Sequence, residues 1–257
     1  MRDVLEALAA GDLTPAEAEA RLTGYATSEA GRFDAAREQR RGVPEAIFAA
    51  DKTPEESAAI AETAVETTGR AVLTRADDAV VAAVTDRLPA DVSVDRHERA
   101  RTLVVAAPDF DPPSVDADVA VVAAGTADAA AAGEAAVVAR AAGVSVHRID
   151  DVGVAHLGRV VDELDAIRAA DVVVVAAGRE GALPTVVAGL VDTPVVGLPV
   201  SSGYGFGGDG EAALLGMLQS CTVLSVVNVD AGFTAGAQAA LVGRAVAAAR
   251  NDTTPHD

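Results

Sequence analysis

The C-terminal half of the chain alternates between short valine-rich runs and longer stretches rich in alanine and leucine. The valine-rich runs lie at 119–124, 144–149, 172–177, 194–199 and 223–229. The stretches with helical composition lie at 129–142, 156–169, 182–191, 210–220 and 234–250. Strands that are apolar throughout and alternate with helices are typical of a parallel sheet covered on both faces. The pattern therefore predicts an α/β domain over 119–250, built on a doubly wound parallel sheet.

The first 108 residues predict a smaller α/β region. Residues 2–22 have the pattern of two short helices, the second with Thr14 as its cap, and Thr53 begins a further helix that runs to about Thr68. Short strands at 71–75 and 101–105 flank a helix near 77–88. The segment DFDPPSVDAD at 109–118 contains a Pro-Pro pair and is predicted to be a linker. The expected domains are thus 1–108 and 119–250.

Acidic residues outnumber basic ones by 39 to 20, which gives a formal net charge of -19. Lys52 is the only lysine. A uniform acidic surface with few lysines indicates adaptation to a high-salt cytoplasm, where salt screens the repulsion between carboxylates; the alternative is an ordinary acidic protein. The same charge disfavours nucleic acid as a partner, because phosphate neutralisation needs clustered Lys and Arg.

Cys221 is the only cysteine, which excludes an intramolecular disulfide and a cysteine-cluster metal site. No uncharged apolar run approaches the roughly 18 residues of a membrane span, and the N-terminus lacks the pattern of a signal peptide. We therefore expect a cytoplasmic protein without a membrane partner.

Glycine and polar residues concentrate directly after each predicted strand. Right-handed crossovers bring these loops to one edge of a parallel sheet. Glycines let the backbone approach a ligand, and the helix N-termini that follow offer free N–H groups to phosphate. No GxxxxGK[ST] motif occurs, which excludes a P-loop NTPase, and the Gly203/Gly205 pair departs from GxGxxG spacing. The loops predict a nucleotide site of another kind.

Several motifs resemble one known family in order and spacing. They are GTADAAAAGEA, RIDDVGVAHLGR, AAGREGALPTVVAGLV, LPVSSGYGFGGDGEAALLGMLQSC and SVVNVDAGF, with RRGVPEAIF, KTPEE and VLTRA in the N-terminal region. Together they resemble the nickel-pincer cofactor biosynthesis family LarB. The C-terminal half is also similar, more distantly, to the aminoimidazole ribonucleotide carboxylase PurE. This resemblance implies a PurE/flavodoxin-like three-layer fold.

The resemblance also implies an activity. Members of the family carboxylate C5 of the pyridinium ring of nicotinic acid adenine dinucleotide and cleave its phosphoanhydride. The products are pyridinium-3,5-biscarboxylic acid mononucleotide and AMP. By resemblance, Cys221 would attack the ring and Glu180 would assist water in the hydrolysis. From the residues alone, a small core residue is the favoured interpretation of Cys221, and only the resemblance reverses it. The alternative for Glu180 is a first-turn carboxylate of a helix.

The loops and the resemblance together define a candidate site. Asp128 also fits the N-cap of the following helix, and Arg159 fits a bidentate partner for a substrate carboxylate. The residues expected to bind substrate are Gly125, Thr126, Asp128, His156, Arg159, Gly178, Gly181, Ala182, Ser201, Ser202, Gly203, Tyr204, Gly205, Asn228 and Asp230. Mg²⁺ is a possible cofactor of unknown ligands, and no tightly bound organic cofactor is expected.

The chain departs from the family pattern at a few positions. The family reads GVAGLHR where this chain reads GVAHLGR, so His156 and Gly158 are exchanged. Arg179 stands where the family has Met, Val200 where it has Thr, and Ala231 where it has Asn. Arg179 places a positive charge next to Glu180, which predicts either a phosphate ligand or a partner for the glutamate.

Two other functions are compatible with the sequence. One is an enzyme similar to aminoimidazole ribonucleotide carboxylase, and the other is a non-catalytic nucleotide-binding regulator on the same fold. Under each of them the partner is a small nucleotide. The related carboxylases are octamers, and the alanine-rich helix at 234–250 could pack against a neighbour, so we expect a homo-oligomer.

Overall fold

The structure, a computed structural model, describes residues 1–252. The chain divides into two compact units, Met1–Pro112 and a second unit from Pro113 onward. The boundary between them is the Pro-Pro pair of the predicted linker. No helix among residues 1–252 has the length and apolar composition needed to cross a membrane.

The N-terminal unit combines a mixed four-stranded sheet with a separate two-stranded hairpin. The elements of the unit are α1 (Arg2–Ala10), α2 (Pro15–Thr23), β1 (Ala26–Ser28), β2 (Gly31–Phe33), α3 (Arg37–Arg41), β3 (Ala46–Phe48), α4 (Pro54–Thr68), β4 (Arg70–Thr74), α5 (Asp78–Arg87), β5 (Ser93–His97) and β6 (Thr102–Ala106). The order of the four-stranded sheet is β3-β4-β6-β5, in which β3 and β4 are parallel and the other pairs antiparallel.

The predicted helix starts of this unit are confirmed in atomic detail. Thr14 and Thr53 each accept a hydrogen bond from the backbone N–H three residues on, and the carboxylates of Glu17 and Glu56 accept one from the backbone N–H of the cap residue. These capping boxes satisfy N–H groups that the helix leaves without partners. The helix α4, which begins after Thr53, packs on β4 and contributes Ala58, Ile60, Ala61 and Ala64 to the core of this unit.

The second unit is the doubly wound parallel domain that the valine-rich runs predict. Its elements are β7 (Val115–Ala123), α6 (Ala129–Ala141), β8 (Val144–Ile149), α7 (Gly158–Asp162), α8 (Leu164–Arg168), β9 (Val172–Ala177), α9 (Ala182–Ala188), β10 (Val195–Pro199), α10 (Glu211–Leu218), β11 (Ser225–Val226) and α11 (Gly232–Asp252).

All five strands of this sheet are parallel and follow the order β11-β10-β9-β7-β8. The helices α6 and α11 cover one face, while α7 to α10 cover the other with Ile167, Leu183 and Met217 in the core. Because the order reverses between β7 and β9, the connections after these two strands diverge to opposite faces. A crevice opens between them at the carboxyl ends of the strands, where ligands bind in sheets of this kind.

Several predicted boundaries were wrong for identifiable reasons. The strand β7 begins at Val115, inside the predicted linker, because only Pro112 and Pro113 resist regular structure. The predicted strand 223–229 reduces to Ser225–Val226, an edge strand paired on one side only. The predicted helix 156–169 is interrupted at Glu163. The strand β5 was missed because Ser93–His97 is polar and exposed on an edge.

Candidate functional site

A cleft of about 630 Å³ lies at the carboxyl edge of the parallel sheet. It occupies the crevice between the loops after β7 and β9, and the loops after β8 and β10 close its sides. Its walls are formed by Ala124, Gly125, Thr126, Ala127, Asp128, Asp151, Gly153, Val154, Ala155, Ala177, Gly178, Arg179, Glu180, Ala182, Leu183, Ser202 and Tyr204. Both the volume and the position at the reversal of strand order are typical of a small-molecule site.

Asp128 ties the loops around this cleft to one another. Its Oδ2 accepts a hydrogen bond from the Gly125 N–H at 2.9 Å, while Oδ1 accepts from the Gly178 N–H at 3.1 Å and from Ser202 Oγ at 2.8 Å. These donors lie in the loops after β7, β9 and β10. Asp128 occupies the predicted N-cap position of α6, but its carboxylate turns toward the cleft loops and makes no cap bond to that helix.

The environment of Asp128 disfavours its charge. The residue is 5% exposed. Burial raises the pKa of the Asp128 carboxyl above its usual range, although the hydrogen bonds from Ser202, Gly125 and Gly178 act in the opposite direction. The carboxylate is thus held by the chain rather than left available to a ligand.

Gly178 is required by this arrangement. A Cβ atom at position 178 would lie 2.3 Å from Ser202 Oγ and 3.3 Å from Asp128 Oδ1. Any side chain would therefore push Ser202 away from the carboxylate and open the contact between the loops after β9 and β10. The glycine that the sequence marks as a ligand-approach residue also allows the two loops to meet.

Glu180 and Arg179 form the rim of the cleft beside this contact. Both are exposed. The backbone carbonyl of Glu180 packs against Gly216 of α10, where a Cβ would approach it to 2.2 Å. Arg179 stacks on Tyr204 and donates a 2.7 Å hydrogen bond to its hydroxyl. Arg179 was predicted either to bind phosphate or to pair with Glu180. Among the described residues, Arg179 and Glu180 form no ion pair.

The loop after β8 contributes Asp151, which sequence reasoning did not select. Arg159 Nη1 donates to the Asp151 carbonyl at 3.0 Å and to its Oδ1 at 2.9 Å, and so holds this residue on the cleft wall. Arg159 does not line the cleft itself. The His156 ring lies over Gly158, where a Cβ would be 2.6 Å from His156 Cε1.

Six other candidate residues lie in the loops after β9, β10 and β11, namely Gly181, Ser201, Gly203, Gly205, Asn228 and Asp230. Asp230 Oδ1 accepts a hydrogen bond from the Ser201 N–H at 3.0 Å and braces the loop after β10. The side chain of Asn228 accepts from the Val229 N–H. Gly181 lies against the Ala213 carbonyl of α10, and Gly203 lies against the backbone nitrogen of Arg179. Gly205 has a φ of 92°, which few other residues adopt. None of these six belongs to the cleft wall.

Cys221 is exposed but stands away from the cleft of its own chain. It follows α10 and precedes β11, and its neighbour Thr222 approaches Gly189 at the end of α9. This places the thiol at the edge where the parallel strands begin, whereas the cleft lies where they end. The structure therefore brings Glu180 to the cleft and leaves Cys221 on the opposite edge.

The described residues do not form a ready metal centre. Among residues 1–252 there is no group of three His, Cys, Asp or Glu side chains close enough to hold a metal ion. Asp128, the most buried carboxylate of the cleft, already accepts three hydrogen bonds from the chain. The residues present therefore do not make up a protein-only Mg²⁺ site.

The cleft residues that sequence reasoning missed are mostly small and apolar. They are Ala124, Ala127, Val154, Ala155, Ala177 and Leu183. Their composition carries no chemical signal. Asp151 and Gly153 could have been found, since they directly follow a predicted strand whose carboxyl end faces the cleft.

Comparisons with known proteins agree with this architecture. Residues 118–256 match the AIR carboxylase family, and residues 25–107 match the LarB/PurE-like N-terminal domain. A protein of Methanocaldococcus jannaschii described as uncharacterised is 33% identical over 254 residues, which cover 95% of this chain and 97% of that protein. The chain therefore belongs to the AIR carboxylase family, in the group whose members carry a LarB/PurE-like N-terminal domain.

Proposed function

We propose that this protein carboxylates the pyridinium ring of nicotinic acid adenine dinucleotide at C5 and hydrolyses its phosphoanhydride. Dinucleotide, CO₂ and water give pyridinium-3,5-biscarboxylic acid mononucleotide, AMP and protons. The observation that carries the proposal is the cleft at the reversal of strand order, with Glu180 on its rim, in a chain of the AIR carboxylase family that has a LarB/PurE-like N-terminal domain.

The cleft suits a phosphorylated ligand. Gly125, Thr126 and Ala127 line it directly before α6, and the N-terminus of a helix favours an anion through its free N–H groups and its dipole. The glycines of the neighbouring loops leave room for the backbone to approach phosphate oxygens. The carboxylate of Asp128 is occupied by hydrogen bonds from the loops, so we assign Asp128 a positioning role and not a contact with ribose.

The carboxylation step needs a nucleophile, because a pyridinium ring is an electrophile and does not attack CO₂. Addition of a thiolate forms a carbon–sulfur bond and gives a neutral dihydropyridine in which C5 is an enamine carbon. C5 then bonds to CO₂, loses its proton to a base, and the ring expels the thiolate as it regains aromaticity. This is covalent catalysis, and Cys221 is the only thiol in the chain.

If Cys221 supplies the nucleophile, its position calls for a second copy of the chain. The thiol is exposed at the edge where the strands begin, so it is free to approach the cleft of a neighbouring chain. Leu218 and Val223 on either side of it are 59% and 94% exposed, which gives this edge an apolar surface for contact. We propose a homo-oligomer, an octamer by resemblance, in which Cys221 of one copy serves the cleft of another.

Glu180 is suited to the hydrolytic step. It is an exposed carboxylate on the rim, and its backbone is fixed between Gly178 and the contact with Gly216. A carboxylate in this position can orient a water molecule toward phosphorus and accept its proton. The bond between the two phosphates breaks, and AMP leaves.

Incubation with nicotinic acid adenine dinucleotide, bicarbonate and Mg²⁺, followed by mass spectrometry, tests the proposal. Mg²⁺ is added because phosphate oxygens are hard ligands for it. We expect AMP and a mononucleotide heavier by one carboxylate. Cys221→Ala should abolish the carboxylated product, and Glu180→Gln should abolish AMP release. Thr222→Ala, next to Cys221, is the matched control and should retain both. Lack of both products with the unaltered protein would contradict the proposal.

The family match favours one second candidate, an aminoimidazole ribonucleotide carboxylase. The same assay with aminoimidazole ribonucleotide in place of the dinucleotide separates the two, because that reaction needs no thiol. Carboxylation of this substrate by Cys221→Ala would support the second candidate. Tight binding of nucleotide without any product would instead support the non-catalytic regulator.

A further inference from the structure

Arg179 and Tyr204 form a closed pair at the rim of the cleft. The Arg179 guanidinium carbon lies 3.9 Å from the centre of the Tyr204 ring, and Nη2 donates to the tyrosine hydroxyl at 2.7 Å. Tyr204 is 76% exposed, so little besides the arginine covers its ring. Both residues line the cleft. The contact is therefore a local one that can open without disturbing the core.

Arg179 differs in charge from the other ionisable residues that line the cleft. Among the described residues that line the cleft, three are acidic (Asp128, Asp151 and Glu180) and Arg179 alone is basic. Asp151 is already paired with Arg159 at 2.9 Å. An anionic ligand that enters the cleft thus meets a single cationic side chain on its walls.

The loop that carries Tyr204 is rich in glycine. Gly203, Gly205 and Gly207 flank it, and Gly205 and Gly207 have φ values of 92° and 77°. Gly203 approaches the backbone nitrogen of Arg179, where a Cβ would lie at 3.1 Å. The loop therefore stays close to Arg179 at its base while its glycines let the tyrosine ring swing away.

We propose that Arg179 is a phosphate-binding residue of the cleft and that Tyr204 holds it in place until the ligand arrives. A guanidinium binds a phosphate through two parallel charge-assisted hydrogen bonds, which are stronger than an exposed cation–π contact. Phosphate is favoured over the ring carboxylate because Arg179 adjoins Glu180, the residue assigned to phosphoanhydride hydrolysis. The choice of phosphate rests on the proposed function; the opening of the pair does not.

Tyrosine emission tests this directly, because the chain has two tyrosines and no tryptophan. In a Tyr25→Phe background Tyr204 is the only tyrosine, and inorganic pyrophosphate, which does not absorb at the wavelengths used, serves as the ligand. We expect saturable change in emission as the arginine leaves the ring. Arg179→Met should weaken pyrophosphate binding by about tenfold or more in calorimetry, the factor for one lost bond to a charged group.

Three comparisons make the result specific. Arg32→Met is the matched control, since Arg32 makes the corresponding contact with Tyr25 at 5.0 Å in the N-terminal unit, and it should leave binding unchanged. Arg179→Lys should bind with intermediate affinity because lysine lacks the planar fork. Calorimetry with nicotinate probes the carboxylate alone, and Arg179→Met should leave this binding unaltered.

Loss of nicotinate binding with normal pyrophosphate binding would overturn the phosphate assignment in favour of the ring carboxylate. Unchanged binding of both ligands in Arg179→Met would overturn the inference altogether. Neither measurement requires turnover. An inactive enzyme that still binds pyrophosphate through Arg179 would refute the proposed function alone.

Discussion

At the scale of single residues, Asp128 does the most to define the cleft. One buried carboxylate accepts hydrogen bonds from Gly125, Gly178 and Ser202, which lie in separate loops. A carboxylate is the only side chain with enough acceptor sites to satisfy all of these donors at once, since Asn has a single acceptor oxygen and Ala has none. The loops thus depend on this residue for their mutual position.

Asp128→Ala should destabilise the second unit by about 2–3 kcal/mol, because it leaves two backbone N–H groups and a hydroxyl without their acceptor. Ser202→Ala is the control and should cost about 1 kcal/mol, since it removes one bond only. Urea unfolding measures both. Asp128→Ala should also widen the cleft, which would appear as faster hydrogen exchange at residues 125 and 178.

The pH dependence of this loss has an unusual sign. Burial raises the pKa of Asp128 in the folded protein. Its contribution to stability is therefore fully present below the ordinary aspartate pKa, about 3.9, and decreases as pH rises through the raised folded value. The destabilisation caused by Asp128→Ala should be larger near pH 4 than at pH 8. If the destabilisation caused by Asp128→Ala became smaller on acidification, that result would contradict a raised pKa of Asp128 in the folded protein.

At the scale of elements, α11 packs closely on α6 because the residues at their contact are glycine and alanine. A Cβ at Gly236 would lie 2.3 Å from the Ala135 carbonyl oxygen. The neighbouring contacts are made by Ala132, Ala135, Ala136 and Ala239, all fully or almost fully buried. The helices approach this closely because the chain places alanine and glycine where they meet.

Gly236→Ala should therefore force the two helices apart and destabilise the protein by about 1–2 kcal/mol, even though alanine is the better helix former. Gly189→Ala is the matched control. Its added Cβ would meet its nearest neighbour at 3.5 Å, an ordinary contact, so we expect a change within about 0.5 kcal/mol. Thermal unfolding distinguishes the two. Equal effects would show that space at Gly236 does not limit the packing.

The elements also show where sequence reasoning succeeds. The strands β8 and β9 carry continuous or β-branched apolar residues and were placed to the residue at 144–149 and 172–177. The strand β5, Ser93–His97, has no such signal because hydrogen bonding to β6 alone makes it a strand. Likewise the loops of the cleft were predictable from glycine after strands. The pairing of Arg179 with Tyr204 was not, because it joins residues 25 apart through the fold.

At the scale of the whole molecule, the separation of Cys221 from the cleft decides what one chain can do. The cleft lies where the strands of the sheet end, and the thiol lies where they begin. A reaction that uses both therefore needs at least two chains. The homo-oligomer and the adaptation of the -19 charge to high salt stay predictions.

Mixed assemblies test the sharing of residues between copies. Cys221→Ala and Glu180→Gln should each fail to form the carboxylated mononucleotide when assembled alone, because the first lacks carboxylation and the second lacks hydrolysis. Co-expression of the two variants should restore formation of this product, because a cleft with an intact Glu180 can receive Cys221 from its neighbour. Assemblies of Cys221→Ala with a Cys221→Ala, Glu180→Gln double variant serve as the control and should remain inactive. Failure of the first mixture to regain activity would show that both residues act within one chain.

The contact between His156 and Gly158 changes how this segment compares with its relatives. The imidazole lies over the position from which a side chain at residue 158 would start. Aligned column by column, GVAHLGR and the family's GVAGLHR differ twice and suggest a lost histidine. In this chain the imidazole of His156 takes up the space in which a side chain at residue 158 would begin, so a comparison of single columns overlooks a contact that is made between them.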